Sequence, residues 1–330
     1  MYSIASFFSG VGGIDLGFEQ VVANNPDNGF RTIYANEFDE YPAQTMSLNF
    51  PNIQVDIRDI HLVQANEIPN FDVMIAGFPC QAFSIAGHRQ GFDDEQGRGE
   101  LFFELIRIME HHRPRVAFFE NVKNLVGHDN GNTFRVICEQ LELLGYRIIH
   151  QVMNACQYGN VAQNRERIYI IAFRDQEDYA RFRMPLPIPL MTTIHDIIDF
   201  NNPVPDNFYY NEDCYFYNDL VREATRHDTT YQWRRVYVRE NQSNLIPTLT
   251  ANMGTGGHNV PIIFTNNNRY RKMTPRECFN AQGFPHDYIL PNQANGRLYK
   301  QAGNSVVVPV INRIAQNIFT ALQEVDNANI

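Results

Sequence analysis

Short apolar runs alternate with stretches whose apolar positions recur every three or four residues over residues 1–175. "YSIASFF" reads as a first strand, and "GIDLGFEQVVAN" as the helix that follows a glycine turn. "TIYANEF" is a second strand, with "EYPAQTMSLNF" behind it. Then come the strand "FDVMIAG", the helix "GELFFELIRIMEHH", the strand "RVAFFENV", the helix "TFRVICEQLELLG" and the strands "YRIIHQVMNA" and "RIYIIAF". This alternation predicts an α/β fold: a mainly parallel sheet with helices on its faces. From residue 184 the texture changes to proline- and tyrosine-rich stretches such as "MPLPIPL" and "NNPVPDNFYYNEDCYFYND". A second, irregular, loop-rich domain is therefore expected over 184–275, after a first domain over 1–183. Residues 276–330 return to the hinge of the second domain and to the first, where the helix "VVVPVINRIAQNIFTALQEV" is expected to pack.

No apolar run approaches the roughly 20 residues of a membrane span. The N-terminus lacks a basic region and a cleavage pattern, so neither membrane nor export is expected. Five widely spaced cysteines without a CxxC pair argue against disulfides and against a metal site, and suit a reducing cytoplasm. The net charge of −10 disguises an uneven distribution. Residues 1–60 hold two basic against eight acidic side chains, whereas 222–277 hold nine against four. A nucleic-acid partner for the later segment is thus compatible with an acidic chain.

Candidate chemistry gathers at the predicted strand ends. Gly10, Gly12 and Gly13 form a turn that lets a ligand approach backbone N–H groups, and Glu37 ends the second strand, where an acid can accept ribose hydroxyls. The G-x-G-G pattern is not the dinucleotide fingerprint, so a nicotinamide dehydrogenase is the weaker nucleoside-cofactor reading. Cys80 follows "DVMIAGFP" just beyond a strand, as a nucleophile or as a small apolar core residue. Glu120 and Asn121 end the next strand. Gln163, Arg165 and Arg167 alternate into a later strand, so all three are expected to face one side.

Nine blocks resemble, in order, those of the DNA (cytosine-5)-methyltransferases of bacterial restriction-modification type: "FSGVGGIDLGF", "NEFDEYPAQTMSLNF", "DIRDI", "AGFPCQAFSIAG", "RGELFFELIRIM", "ENVKNL", "QNRERIYIIAF", "RECFNAQGFP" and "AGNSVVVPVI". The resemblance implies a class I methyltransferase, a Rossmann-like mainly parallel sheet with helices on both faces, plus a smaller irregular target-recognition domain. It implies that Cys80 attacks carbon 6 of a cytosine flipped out of double-stranded DNA and that Glu120 hydrogen-bonds nitrogen 3 and the amine. Arg165 and Arg167 would hold the base carbonyl and a flanking phosphate. S-adenosyl-L-methionine would lie along Phe8, Gly10 and Gly12, with Glu37 on the ribose and Phe38, Asp56 and Ile57 framing the adenine. Leu101 would line the pocket, and Asn304 and Ser305 would close it.

The glycine-rich stretch 81–99 then fits a mobile loop that closes over the base, with Gln81 and Ser84 meeting DNA. Arg234, Arg235, Thr248, Thr250, Asn252 and His258 are the recognition candidates, with a short CC-containing palindrome such as CCGG or CCNGG as target. A cognate restriction endonuclease sharing that site without stable contact, a monomeric state and a cytoplasmic, nucleoid-associated location complete the expectation. With no regulatory domain ahead of the glycine turn, a prokaryotic or phage modification enzyme is expected. A cytosine-5 methyltransferase acting on transfer RNA is the alternative, and a non-catalytic DNA-binding relative the other; intact Cys80, Glu120 and both arginines weigh against the second.

Overall fold

The computed structural model describes residues 1–21, 28–79, 101–255 and 259–328. In chain order the first strands are β1 (Tyr2–Phe7), β2 (Phe30–Asn36), β3 (Val55–Asp56), β4 (Val73–Ala76), β5 (Val116–Val122), β6 (Arg147–Asn154), β7 (Gln163–Asn164) and β8 (Glu166–Phe173). All but β7 form one seven-stranded sheet in the order β3-β2-β1-β4-β5-β8-β6. The pairs from β3 through β5 are parallel, and β8 runs antiparallel to β5. Strand β4 and residues 116–121 of β5 are buried throughout, as expected of central strands covered on both faces.

The helices α1 (Gly13–Glu19), α2 (Glu40–Asn49), α3 (Leu101–His112) and α4 (Asn132–Leu143) belong to the same unit. Helix α3 buries Phe102, Leu105, Ile108 and Met109, the one-sided stripe that its sequence predicts. That stripe enters a core with Phe7, Met74, Ala76, Phe78, Phe119 and Ile170. The long C-terminal helix, Val308–Ala328, buries Ile311, Ile314, Ile318 and Leu322. It lies so close to α1 that a Cβ on Gly17 would meet the Ile311 side chain at 2.6 Å, and Asn312 Nδ2 donates to Gly17 O. By length and composition this helical region could cross a membrane, but most of it is buried within the protein.

The second unit comprises 154–165 and 186–310. Its centre is a four-stranded antiparallel sheet, β10-β9-β12-β13, made of β9 (Thr230–Trp233), β10 (Val238–Glu240), β12 (Ile262–Phe264) and β13 (Tyr270–Lys272). Phe216 stacks on Trp233 at 4.7 Å, and Leu220 from α5 (Tyr217–Glu223) joins Tyr231 and Ile262 in its core. These strands have only three or four residues, too short to show a period in the sequence. A parallel pair, β7 with β11 (Ile246–Pro247), draws residues 154–165 into this unit rather than into the 1–183 segment expected to contain them. Residues 276–310, with α6 (Pro275–Ala281) and α7 (Asn295–Asn304), also belong here. The cause is local: Thr274 and Glu277 close a capping box on α6, and buried Arg271 from β13 pairs with Glu277 at 2.7 Å.

Candidate active site

Strand β4 delivers the chain to Gly77, buried Phe78 and exposed Pro79. Cys80, Gln81 and Ser84, with the stretch 81–99, lie outside the described residues, as does His258. What fixes the approach to Cys80 is visible. Asn121 Nδ2 donates to Phe78 O at 2.9 Å, and Asn121 Oδ1 accepts from Val122 N at 2.8 Å. The Phe78 ring packs against Phe102 and Phe119 with centroids 5.5 and 6.1 Å apart. The main chain two residues before the cysteine is thus held by a buried amide and two rings.

Glu120 projects from the same end of β5. Its Oε1 lies 3.0 Å from Arg167 Nε, and the two side chains are only 10% and 14% exposed. Antiparallel pairing sets this meeting, because Glu120 lies opposite Tyr169 and Val122 opposite Arg167. Arg167 also donates from Nη1 to Glu166 O at 2.8 Å. A Cβ added to Gly77 would sit 3.7 Å from Glu120 Oε2, so the carboxylate reaches the end of β4. Largely removed from water, the pair attracts more strongly than on a surface, and the cost of desolvation ties each group to its partner. The arrangement presents a carboxylate and a fixed cation beside the strand end that leads to the thiol.

The glycine turn is organised by Glu37. Its Oε2 accepts from Gly10 N and its Oε1 from Asp39 N, both at 2.9 Å. Main-chain pairing aligns the ends of β2 and β3: Glu37 N and Asn36 Nδ2 both donate to Asp56 O at 3.0 Å. The Asp56 carboxylate accepts from Tyr34 Oη at 2.8 Å and binds Arg58. Burial pushes its pKa up, but the hydrogen bonds from Arg58 and Tyr34 outweigh burial and hold the group ionised below the usual carboxylate range.

The two turn glycines differ. Gly10, at φ 56°, has open space where a Cβ would stand, whereas a Cβ on Gly12, at φ 73°, would meet the Phe50 ring at 2.5 Å. Gly10 leaves room for a ligand; Gly12 is required by packing. Phe38 and Ile57 are 70% and 52% exposed, leaving apolar surface beside Glu37 and Asp56. Phe8 and Leu101 both border the core around Phe7 and Phe102. An open glycine turn, a carboxylate at the adjacent strand end and two exposed apolar side chains fit an adenine nucleoside.

The run Gln163–Arg167 departs from expectation. It does not enter a single strand, because β7 and β8 belong to different sheets and the chain passes between the two units after Arg165. The alternation rule holds only within one strand, so it does not set the three side chains on a common face. Arg167 reaches Glu120, whereas Arg165, 3% exposed, donates among the described residues to Leu249 O, Gly303 O and Ser305 O. Asn304, the last residue of α7, is exposed, and Ser305 is buried.

Of the recognition candidates, Arg234 and Arg235 occupy the exposed tip of the β9–β10 hairpin, with Arg235 in the left-handed region at φ 68°. Many other arginines of the segment are engaged within it: Arg222 with Asp219 and Glu223, Arg226 with Asp228 and Glu240, Arg269 with Asp206, and Arg271 with Glu277. Among the described residues Arg234 and Arg235 make no ion pair, which leaves two cations side by side at this exposed tip. Val236 and Tyr237 are 83% and 54% exposed on the same tip. Thr250 and Asn252 are exposed, while Thr248 Oγ1 donates back to Asn164 O at 2.6 Å.

Comparison with known proteins places this geometry. The C-5 cytosine-specific DNA methylase family matches residues 2–320. The type II methyltransferase M.Bsp6I of Bacillus sp. (strain RFL6) is 56% identical over 323 residues, covering 98% of this chain and 100% of that protein. The type II methyltransferase M.HhaI of Haemophilus parahaemolyticus is 36% identical over 327 residues, covering 96% and 93%. Among solved structures, Spodoptera frugiperda DNMT2 superposes with a TM-score of 0.74 at 20% identity, covering 97% of this chain and 100% of that one, and shows the fold alone. The chain belongs to the C-5 cytosine-specific DNA methylases.

Proposed function

We propose that this type II DNA (cytosine-5)-methyltransferase acts on a cytosine rotated out of the duplex, with Cys80 as nucleophile and Glu120 and Arg167 as the groups that hold the base. The observation that carries the reading is the Glu120–Arg167 pair beside Gly77, with Asn121 fixing the main chain before Cys80. Carbon 5 of cytosine is a weak nucleophile and needs activation. The Cys80 thiolate adds to carbon 6, forming a sulfur–carbon bond and leaving carbon 5 enamine-like. Glu120 shares a proton with nitrogen 3 and accepts from the exocyclic amine, stabilising the charge that attack places on the ring. Arg167 holds Glu120 and presents its guanidinium towards the base carbonyl. Bound S-adenosyl-L-methionine supplies the electrophilic methyl group that carbon 5 takes. Loss of the carbon-5 proton then re-forms the double bond and expels Cys80. A thiol of ordinary pKa, about 8.5, is only a few per cent ionised at neutral pH, so its deprotonation is part of the task.

The cofactor-binding residues in this reading are Phe8, Gly10, Glu37, Phe38, Asp56, Ile57, Leu101, Asn304 and Ser305, with Gly12 shaping the turn through its packing on Phe50. Rotating the base out costs roughly a few kcal/mol, recovered through contacts that include Gln81 and Ser84. Residues of the second unit read the sequence, through Arg234 and Arg235 at the hairpin tip and Thr248, Thr250, Asn252 and His258. The enzyme acts as a monomer in the cytoplasm, at the nucleoid, and protects a short CC-containing palindrome from an endonuclease that shares the site.

Bisulfite sequencing of DNA from a methylation-free host expressing the protein tests the reading. Methylated cytosines at one short motif are expected, and Cys80→Ala should abolish them. Methyl transfer to transfer RNA but not to DNA overturns it.

A further inference from the structure

A buried network around Gln163 and Arg165 serves none of the chemistry assigned above. Gln163 Nε2 donates to Ala281 O and, at 3.2 Å, to Gln282 Oε1, while Gln282 Nε2 donates to Ala302 O at 2.7 Å. Arg165 Nη1 donates to Leu249 O at 2.7 Å. Its Nη2 donates both hydrogens, to Gly303 O at 3.1 Å and to Ser305 O. The segment thus clamped is the one that carries Thr248, Thr250 and Asn252. A second contact presses the same pieces together. A Cβ on Gly303 would stand 2.2 Å from the Thr250 carbonyl carbon and 2.6 Å from Ala251 N, so only glycine lets the end of α7 and this segment meet main chain to main chain.

We propose that Arg165 is a positioning residue for sequence recognition: it sets the Thr248–Asn252 segment against the turn at Asn304–Ser305 instead of touching the target base. The inference rests on the proposed role of Thr250 and Asn252 in reading DNA. Both hydrogens of Arg165 Nη2 are committed to Gly303 O and Ser305 O in a site 3% exposed, so a base contact through Nη2 would have to displace one of these charge-assisted bonds. Without the guanidinium, three carbonyls lose their donor and the segment is free to lift from Gly303.

The test compares wild type with Arg165→Ala, Arg165→Lys and Gly303→Ala. Bisulfite sequencing of plasmid DNA from a methylation-free host reads methylation at the wild-type motif against motifs differing by one base. Steady-state kinetics on the same plasmid give kcat and KM, and calorimetry gives S-adenosylmethionine affinity. For Arg165→Ala, discrimination between the motif and its one-base neighbours should fall about tenfold or more. Its kcat at saturating DNA and cofactor should stay within about threefold, and any weakening of cofactor binding through Ser305, read by calorimetry, should be smaller than the loss of discrimination. Gly303→Ala should reproduce this pattern, and Arg165→Lys should fall between, because one ammonium cannot serve three carbonyls as a planar fork does.

A loss in kcat of about a hundredfold with unchanged discrimination overturns the proposal in favour of base contact. A lowered melting temperature with an unchanged motif profile overturns it in favour of a merely structural role. If Arg165→Ala does not fold, Arg165→Lys decides by the same criteria. Wild type that methylates no DNA sinks the proposed function, whereas active wild type with indifferent variants sinks only this inference.

Discussion

The side-chain amide of Asn121 donates to the carbonyl of Phe78 at 2.9 Å, fastening the end of β5 to the chain two residues before Cys80. The bond is buried and takes one of the two hydrogens of the amide nitrogen. Asn121→Ala leaves that carbonyl without its donor and loosens the chain leading to Cys80, the proposed nucleophile. Single-turnover kcat should fall roughly tenfold to a hundredfold while calorimetric cofactor affinity holds, since misplacement of a reacting group is felt in the chemical step. Unchanged kcat would show that Cys80 is positioned from elsewhere.

Arg167 and Glu120 are mutually dependent, so removing either partner strands the other in a poorly hydrated place. Arg167→Ala and Glu120→Gln should each lower kcat by at least about a hundredfold, and the double variant should lose far less than the product of the two. Independent, multiplicative losses would argue that the pair does not act as one unit.

The two glycines of the turn should respond differently to alanine. Gly12→Ala forces a Cβ into Phe50 and should lower the melting temperature, at a cost of about 1–3 kcal/mol. Gly10→Ala adds its methyl group to open space and should chiefly weaken S-adenosylmethionine binding. Equal effects of both variants on melting and on affinity would remove the distinction between packing glycine and ligand glycine.

Asp15 gives the fold a pH dependence. Its carboxyl is buried, accepting from Ser6 Oγ at 3.0 Å and Thr32 Oγ1 at 3.1 Å. Burial pushes its pKa up to about 7, against the opposing pull of the Ser6 bond. An unfolded Asp titrates near about 3.9, so between these values the native state binds the extra proton. Stability from this group is therefore full below about pH 4, falls as pH rises and levels off above about 7, by at most a few kcal/mol. Glu19, also raised by burial, adds a slope of the same sign. The check is thus a difference: the melting temperature of Asp15→Asn should decline less than that of wild type between about pH 5 and 7.5. Parallel declines would show that Asp15 is ionised in the fold.

The hairpin tip should carry a measurable share of DNA attraction. If Arg234 and Arg235 each neutralise one phosphate, each alanine variant should reduce the slope of log K against log salt by about 1. Val236→Ala or Tyr237→Ala should leave that slope alone and alter motif preference. Unchanged slopes would move the phosphate contacts away from this hairpin.

What the chain discloses by itself follows physical scale. Continuous apolar runs such as "DVMIAG" declare buried parallel strands, and with them the strand ends where Glu37 and Glu120 stand, because burial on both faces constrains every position. The antiparallel sheet of the second unit does not declare itself, since strands like Tyr270–Lys272 are too short for any period to emerge. Nor does spacing reveal that Arg165 turns inward while Arg167 meets Glu120. The two are distinguished by which sheet each neighbouring strand joins, and that is decided by Ile246 and Pro247, some 80 residues away. The difference between Gly10 and Gly12 likewise resides in Phe50, not in the turn.

The three acceptors that the Arg165 guanidinium meets among the described residues are main-chain carbonyls. A carbonyl is the same whatever side chain its residue bears, so these bonds are blind to the identities of Thr250 and Asn252. Exposed residues at these two positions can be exchanged without touching those bonds. In the proposed reading, the firmness with which the segment is held is thereby separate from what it reads, leaving room for a new target sequence to arise on an unaltered frame.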